Sequence, residues 1–292
     1  MGPVSRFPRL PSRLLAAGML IPLLLWGCSG VFFHPTRDRY QNPALDGAAP
    51  EDVWCESGGG VRIHGIRIRP AVSPPRGTIL FLHGNAENVR THVNALLWLV
   101  GAGYQVVAFD YRGYGQSGGS PDIPGVNEDG LAALDAVFRM EGVDPGRVAV
   151  LGQSLGGAVA VYAVARSPRK GDVKALIVES AFAGYRRVVR DRLISWVVTL
   201  PFAWPASWTV EDGYSPERWI GSVAPVPVVV IHGTKDPVVP FSHGELLYRL
   251  AGEPKGFWKV ENGGHTTALL LPEVRSRLLD FLDSSFSPPG KN

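Results

Sequence analysis

The stretch from Arg147 to Gly157, RVAVLGQSLGG, decides the fold of this chain. Its four consecutive apolar residues, 148–151, indicate a short strand buried on both faces, as the strands of parallel sheets are. Residues 152–156 then match Gly-x-Ser-x-Gly, and the apolar run 158–165 predicts a helix. A strand that turns sharply into a helix through this pentapeptide is a nucleophile elbow, in which glycines permit the turn and the serine hydroxyl is exposed. We therefore interpret Ser154 as a catalytic nucleophile; the alternative is an incidental serine in a glycine-rich turn.

Short apolar runs alternate with helical patterns over most of the chain. Eight strands are predicted, at residues 53–56, 61–69, 78–82, 105–109, 148–151, 174–178, 226–231 and 257–260, and helical spacing is present at 89–100 and 126–140. This alternation is typical of βαβ units, so we expect an α/β fold with an eight-stranded, mainly parallel sheet and helices on both faces. The first two strands form an antiparallel hairpin. The inward face of the second strand changes phase along the sequence, which predicts a β-bulge at Gly65.

The folded domain is predicted to extend from residue 51 to residue 286. Within it, residues 184–220 exceed what one crossover helix needs, and we interpret them as a short helical lid over the carboxyl ends of the strands. The insertion is rich in aromatic residues, namely Trp196, Phe202, Trp204, Trp208 and Trp219. These residues either pack among themselves or line a site for an apolar acyl chain. Residues 28–50 are predicted to be an irregular linker, and residues 287–292 a disordered tail.

Residues 1–27 are typical of a targeting signal. Arg6, Arg9 and Arg13 precede the apolar run 14–26, and Cys28 follows it. The arrangement resembles a bacterial lipoprotein signal peptide, in which cleavage would leave Cys28 as a lipidated first residue. The alternative is an uncleaved single-pass anchor, because the apolar stretch that continues to residue 33 reaches the roughly 20 residues needed to cross a bilayer. In either case the arginines place the domain in the cell envelope, outside the cytoplasm.

The charge distribution gives no reason to expect a nucleic-acid partner. The formal net charge is +3, from 29 basic and 26 acidic residues, and the three arginines before the apolar run account for it. Residues 113–118 match Gly-x-Gly-x-x-Gly, but glycines and prolines follow where a dinucleotide site needs a helix. The sequence has no Cys/His spacing typical of zinc. We therefore expect neither a cofactor nor a metal.

A serine nucleophile needs a histidine base, and the histidine needs an orienting carboxylate. In a fold with a nucleophile elbow, the expected order along the chain is serine, acid, histidine. Asp236 lies in HGTKDPVVP, directly after a predicted strand, and His265 lies in NGGHTT, after the last strand. Because all three residues follow strand ends, we predict a catalytic triad of Ser154, Asp236 and His265. Glu179 is an alternative acid, although its position favours a structural hydrogen-bonding role.

The tetrahedral intermediate of acyl transfer needs two preorganised N–H donors, which form an oxyanion hole. One is expected to be the backbone N–H of Leu155, the residue after the nucleophile. The second should come from the loop that follows the strand 78–82 and begins with the residues HGN. We assign it to the backbone N–H of Asn85.

Four motifs, HGNAEN (83–88), DYRGYGQS (110–117), GQSLGG (152–157) and HGTKD (232–236), resemble the BEM46-like branch of the α/β-hydrolase superfamily, with its ABHD13 and ABHD17 relatives. The segment FFHP (32–35) is similar to bacterial membrane-anchored members. The resemblance extends over residues 51–282. It implies an α/β-hydrolase fold and serine hydrolysis of carboxylic esters or thioesters through an acyl-enzyme, without a cofactor.

The resemblance leaves the substrate open, since such relatives include depalmitoylases and proposed lysophospholipases. A short lid and a membrane anchor together favour a small-molecule or lipid acyl ester, by analogy. Two alternatives stand beside this one: a peptidase or amidase of the same fold, and a non-catalytic binding protein. The intact triad argues against the non-catalytic alternative.

Overall fold

The structure is a computed structural model that describes residues 32–194 and 203–287. The predicted signal or anchor, with Cys28, lies outside the described residues, as do Trp196 and Phe202 of the predicted lid and the tail after residue 287. Within the two described ranges, no helix is both long enough and apolar enough to cross a bilayer.

A mixed sheet of eight strands forms the centre of the described domain. In chain order the described strands are β1 (His34–Pro35), β2 (Glu51–Ser57), β3 (Val61–Ile68), β4 (Thr78–Leu82), β5 (Ala86–Glu87), β6 (Gln105–Phe109), β7 (Val148–Gln153), β8 (Val173–Glu179), β9 (Val228–Gly233) and β10 (Lys255–Val260). The order in the sheet is β10-β9-β8-β7-β4-β6-β3-β2, and β1 pairs separately with β5. The pairs β2–β3 and β3–β6 are antiparallel and the other pairs are parallel. The predicted α/β fold and mainly parallel sheet are confirmed.

Both faces of the sheet are covered by helices. The described helices are α1 (Pro43–Gly47), α2 (Val89–His92), α3 (Leu97–Gly101), α4 (Ile123–Arg139), α5 (Leu155–Arg166), α6 (Tyr185–Ile194), α7 (Ala203–Trp208), α8 (Pro216–Trp219), α9 (Phe241–Leu250) and α10 (Pro272–Phe286). Leu80 and Leu82 of β4 belong to one apolar cluster, while Ile79 and Phe81 belong to another. Alternate residues of a strand point to opposite faces, so a sheet with two packed faces requires the continuous apolar runs seen in the sequence.

The predicted bulge at Gly65 is wrong. Strands β2 and β3 pair in unbroken register, from Glu51 opposite Arg67 to Ser57 opposite Val61. The apparent change of phase arises because β3 is buried on both faces over its last six residues. Gly65 is required instead by the close approach of β6, since a Cβ atom there would lie 2.5 Å from the carbonyl oxygen of Ala108.

The helix predicted over 89–100 is interrupted. It consists of α2, a 3-10 turn over Val93–Leu96, and α3. Val93, Leu96 and Leu99 are fully buried and follow one another at intervals of three residues. Spacings of three and four residues place side chains on one face of a helical segment, so the interrupted helix keeps these side chains in the core.

The described part of the predicted linker, residues 32–50, includes two short regular elements among irregular stretches. It contains β1 and α1, and Phe33 and Leu45 are buried in the two apolar clusters. Asn42 caps α1 by accepting a hydrogen bond from the N–H of Leu45. This segment therefore folds onto the domain, and its residues 32–38 are called the strap below.

The described parts of residues 184–220 form the helices α6, α7 and α8. Trp219 packs edge-to-face on Tyr162 and donates its indole N–H to the carbonyl of Gly213. Trp204 and Trp208 are 54% and 67% exposed. The described tryptophans of this insertion are thus divided between packing and solvent.

Candidate active site

Ser154 stands at the turn between β7 and α5, in the strained conformation expected of a nucleophile elbow. Its backbone has φ 55° and ψ −116°, in a region that non-glycine residues rarely adopt. A Cβ atom at Gly152 would overlap the backbone of Gly156, and one at Gly156 would overlap the carbonyl oxygen of Leu82. Both glycines are therefore required by close backbone contact, and the turn is held by a hydrogen bond from the N–H of Ser154 to the carbonyl of Glu179, at 2.9 Å.

Asp236 and His265 are in direct contact after β9 and β10. Oδ2 of Asp236 lies 2.8 Å from Nδ1 of His265, and its Oδ1 accepts hydrogen bonds from the N–H groups of Val238 and Val239. Burial raises the pKa of Asp236, but the hydrogen bonds from His265 and the backbone outweigh it, and the net pKa is lowered. Because the carboxylate can only accept, Nδ1 of His265 carries the proton and the lone pair of the neutral ring is on Nε2.

A second histidine, His232, is near the same carboxylate but has a different role. Its Nε2 lies 3.6 Å from Oδ2 of Asp236 and 3.0 Å from the carbonyl oxygen of Val239. The side chain is fully buried, and this burial lowers its pKa. A carbonyl oxygen only accepts, so the neutral ring donates from Nε2 to Val239 and shapes the loop that carries Asp236.

Glu179 connects the elbow to the loop that carries His265. One carboxylate oxygen accepts from the side-chain amide of Gln153 at 2.7 Å, and the other accepts from the N–H of Ala268 at 2.9 Å. The side chain is fully buried, and desolvation raises its pKa although these hydrogen bonds oppose the shift. The structural role favoured for Glu179 therefore agrees with its contacts.

Ser154 and the loop of His265 meet at the end of β8. The N–H of Ser154 binds the carbonyl of Glu179, while the N–H of Thr266 donates to Oγ of Ser180, the next residue, at 3.1 Å. Strands β7, β8, β9 and β10 are consecutive in the sheet. The structure thus gathers the three predicted triad residues at one edge of the sheet, with Asp236 and His265 in hydrogen-bond contact.

The two predicted oxyanion donors flank the elbow. Leu155 is the first residue of α5, so its N–H has no acceptor within the helix and lies at the positive end of the helix dipole. Asn85 follows Gly84, where a Cβ atom would lie 3.8 Å from Cβ of Ser154. The loop after β4, residues 83–88, is therefore in van der Waals reach of the nucleophile, and it is called the oxyanion loop below.

A buried cluster around Asp110 supports the oxyanion loop. Oδ1 of Asp110 accepts from the N–H of Val89 at 2.8 Å and lies 3.3 Å from Nε2 of His83, so it holds both ends of the loop. Burial raises the pKa of Asp110, but the imidazoles of His64 and His83, 3.7 and 3.3 Å from its carboxylate oxygens, outweigh it and lower the net pKa. In the sequence, Asp110 stands out only as part of the DYRGYGQS motif, and its position directly after a buried strand is the signal that indicates this role.

Within residues 32–194 and 203–287, no group of three or more His, Cys, Asp or Glu side chains could hold a metal ion.

A family model described as serine aminopeptidase, S33, matches residues 73–218. The uncharacterized protein YfhR of Escherichia coli K12 is 31% identical over 291 residues, which cover 97% of each chain. The lysophosphatidylserine lipase ABHD12 of Xenopus tropicalis is 31% identical over 228 residues, which cover 71% of this chain and 58% of that protein.

Among solved structures, the Pyrococcus furiosus esterase Pf2001 is similar with a TM-score of 0.71 and 20% identity, over 88% of this chain and 99% of that one. At this identity the likeness shows the fold alone. It agrees with the observed sheet and its flanking helices.

Proposed function

The chain belongs to the α/β-hydrolase superfamily, and from this premise we propose that it is a serine hydrolase that cleaves carboxylic ester or thioester bonds through an acyl-enzyme on Ser154. One observation carries the proposal: the hydrogen-bonded pair of Asp236 and His265 lies at the edge of the sheet where the elbow presents Ser154. The branch of the superfamily is proposed to be BEM46-like, on the four motifs quoted above.

In this mechanism Nε2 of His265 takes the hydroxyl proton as Oγ of Ser154 attacks the carbonyl carbon. Asp236 holds the proton on Nδ1 and stabilises the imidazolium that forms. The N–H groups of Leu155 and Asn85 bind the oxyanion. Its collapse passes the proton from His265 to the leaving group and leaves an acyl group on Ser154. Water, deprotonated by His265, then releases the acid.

We propose acyl or lysophospholipid-like esters as substrates, supported by the name of the lysophosphatidylserine lipase among the relatives. In a series of p-nitrophenyl esters of increasing chain length, we expect kcat/KM to rise by up to roughly fourfold per methylene, since each buried methylene contributes about 0.8 kcal/mol. The rise should stop at the length that the site can bury. A folded protein that hydrolyses no member of the series above the spontaneous rate would contradict the proposal.

A peptidase or amidase is the second candidate, favoured by the description of the matching family model as a serine aminopeptidase. An aminoacyl p-nitroanilide assayed beside the esters separates the two. A higher kcat/KM for the anilide than for every ester in the series would select the peptidase.

We further propose that Cys28 carries a lipid that anchors the protein in the cell envelope, the alternative being an uncleaved transmembrane anchor. Cys28 is four residues before Phe32, a distance of at most about 14 Å of extended chain. A lipid there would hold the domain close to the membrane surface, where lipid esters are available.

Metabolic labelling with a fatty-acid analogue tests the lipid. Wild type should incorporate the analogue and Cys28→Ser should not. Cys55→Ser, which replaces the other cysteine of the chain, should label like wild type. Equal incorporation in wild type and Cys28→Ser would contradict the assignment. A wild type that incorporates no analogue would also contradict it and would favour the uncleaved transmembrane anchor.

A further inference from the structure

The strap runs along the oxyanion loop and binds it at several points. Its strand β1 pairs in parallel with β5 of the loop, and the N–H of Thr36 donates to the carbonyl of Glu87 at 3.3 Å. Further along, the side-chain amide of Asn88 donates to the carbonyl of Asp38 at 2.9 Å. The loop is thus covered by a segment about 50 residues earlier in the chain, a contact that the mechanism above does not use.

The strap stabilises a conformation that the loop would not hold alone. Glu87 has φ 58°, in the left-handed region where a non-glycine backbone is strained. Such a backbone persists only where its surroundings determine it. Here the hydrogen bond from Thr36 to the Glu87 carbonyl and the β1–β5 pairing hold the backbone of Glu87 in this conformation.

The side chain of Asn85 is the central link between strap and loop. Its Nδ2 donates to the carbonyl of Phe32 at 2.5 Å, and its Oδ1 accepts from the N–H of His34 at 3.4 Å. The hydroxyl of Tyr114 reaches both Oδ1 and the backbone carbonyl of Asn85, each at 2.8 Å. Both Nδ2 and Oδ1 of the side chain therefore help to hold the backbone of Asn85 in place.

We propose that the Asn85 side chain is a positioning residue, which clamps the oxyanion loop to the strap and so orients the backbone N–H of Asn85 toward the developing oxyanion. The inference rests on the proposed function, because it assigns a task to a side chain beside the proposed donor. An oxyanion donor acts only when it is held in place before the reaction, and small displacements cost large factors in rate. The ring of Phe32 also packs on Phe182 and Tyr185, which fixes the strap at the first residue of α6.

The test compares two asparagine-to-alanine variants of the full-length protein. Asn85→Ala keeps the backbone N–H but removes the hydrogen bonds to Phe32, His34 and Tyr114 that the side chain makes. Asn42→Ala is the matched control, since Asn42 also fastens the N-terminal segment, through Nδ2 to the carbonyl of Arg90 at 2.5 Å and to Oδ1 of Asn94 at 2.9 Å, both outside the oxyanion loop. For each variant we would measure kcat and KM on a p-nitrophenyl ester and the midpoint of urea unfolding.

We expect Asn85→Ala to lower kcat by about 10- to 100-fold with KM within a factor of about two, as for a partly misplaced oxyanion donor. Asn42→Ala should lose stability and retain its kcat. Equal kcat values for Asn85→Ala and wild type would overturn the proposal, and so would the same kcat loss in both variants, which would mark general destabilisation.

Tyr114→Phe provides a second variant should Asn85→Ala fail to fold. It removes the hydroxyl that binds Asn85 and should also lower kcat. Where Asn85→Ala folds, the two losses in the double variant should be less than additive, because both act on the backbone of Asn85. Strictly additive losses, or an unchanged kcat in Tyr114→Phe alone, would count against the clamp. A wild type without esterase activity would contradict the proposed function instead, so the two failures are distinct.

Discussion

A Ser154→Ala variant should fold like wild type and lose both ester hydrolysis and covalent labelling by a fluorophosphonate. Loss of a serine nucleophile from a triad costs roughly 10⁶ in kcat. The variant should remain folded because alanine is no larger than serine, and the strain at φ 55° is imposed by the elbow in both cases. Wild type should gain one phosphonyl group, measurable as a mass increase of the intact protein.

Ser120→Ala is a suitable control, because Ser120 is an exposed serine outside the elbow. It should label and turn over substrate like wild type. If Ser154→Ala still gained a phosphonyl group at the wild-type rate, the nucleophile would be another residue. If folded wild type did not label at all, a non-catalytic role for the fold would be favoured.

The sheet and the triad order could be predicted because their signals are local. Eight apolar runs of strand length, each bounded by turn residues, specify the strands whichever elements they later contact. Asp236 and His265 could be singled out because each directly follows a strand, and parallel strands bring their carboxyl ends to one edge. Once β9 and β10 are neighbours in the sheet, the contact between these two side chains follows.

The wrong bulge, and the contacts that the sequence does not reveal, depend on partners distant in the chain. Gly65 reads as a bulge because its strand is buried on both faces, which becomes visible only when β6 is placed beside it. Residues 32–50 read as a linker because their short elements are fastened by the oxyanion loop and α2, not by their own propensity. The Asp110 cluster and the side-chain contacts of Asn85 also join segments that are distant in sequence, so local patterns do not predict them.

Exchange of Asp236 for asparagine should lower kcat by about 10⁴, the loss typical of a triad whose acid becomes an amide. The geometry determines the direction of the effect. Oδ1 of Asp236 accepts from the N–H groups of Val238 and Val239, so an asparagine must keep its oxygen there and turn its NH₂ group toward His265. Nδ1 of His265 must then accept, which moves the ring proton to Nε2 and removes the lone pair that takes the proton from Ser154.

Asp129→Asn separates this effect from the loss of any buried carboxylate. Asp129 is also buried, and it accepts hydrogen bonds from Ser57 and Arg112. Ser57 ends β2 and Arg112 follows β6, whereas Asp236 follows β9 in the other half of the sheet. We expect Asp129→Asn to reduce the free energy of unfolding and to keep the kcat of wild type. Asp236→Asn should instead lose kcat and keep a urea midpoint close to that of wild type. A kcat within tenfold of wild type for folded Asp236→Asn would remove Asp236 from the triad. The carboxylate of Glu179 already accepts hydrogen bonds from Gln153 and Ala268. Retained activity in Asp236→Asn would therefore require the His265 loop to rearrange before another carboxylate could orient the imidazole.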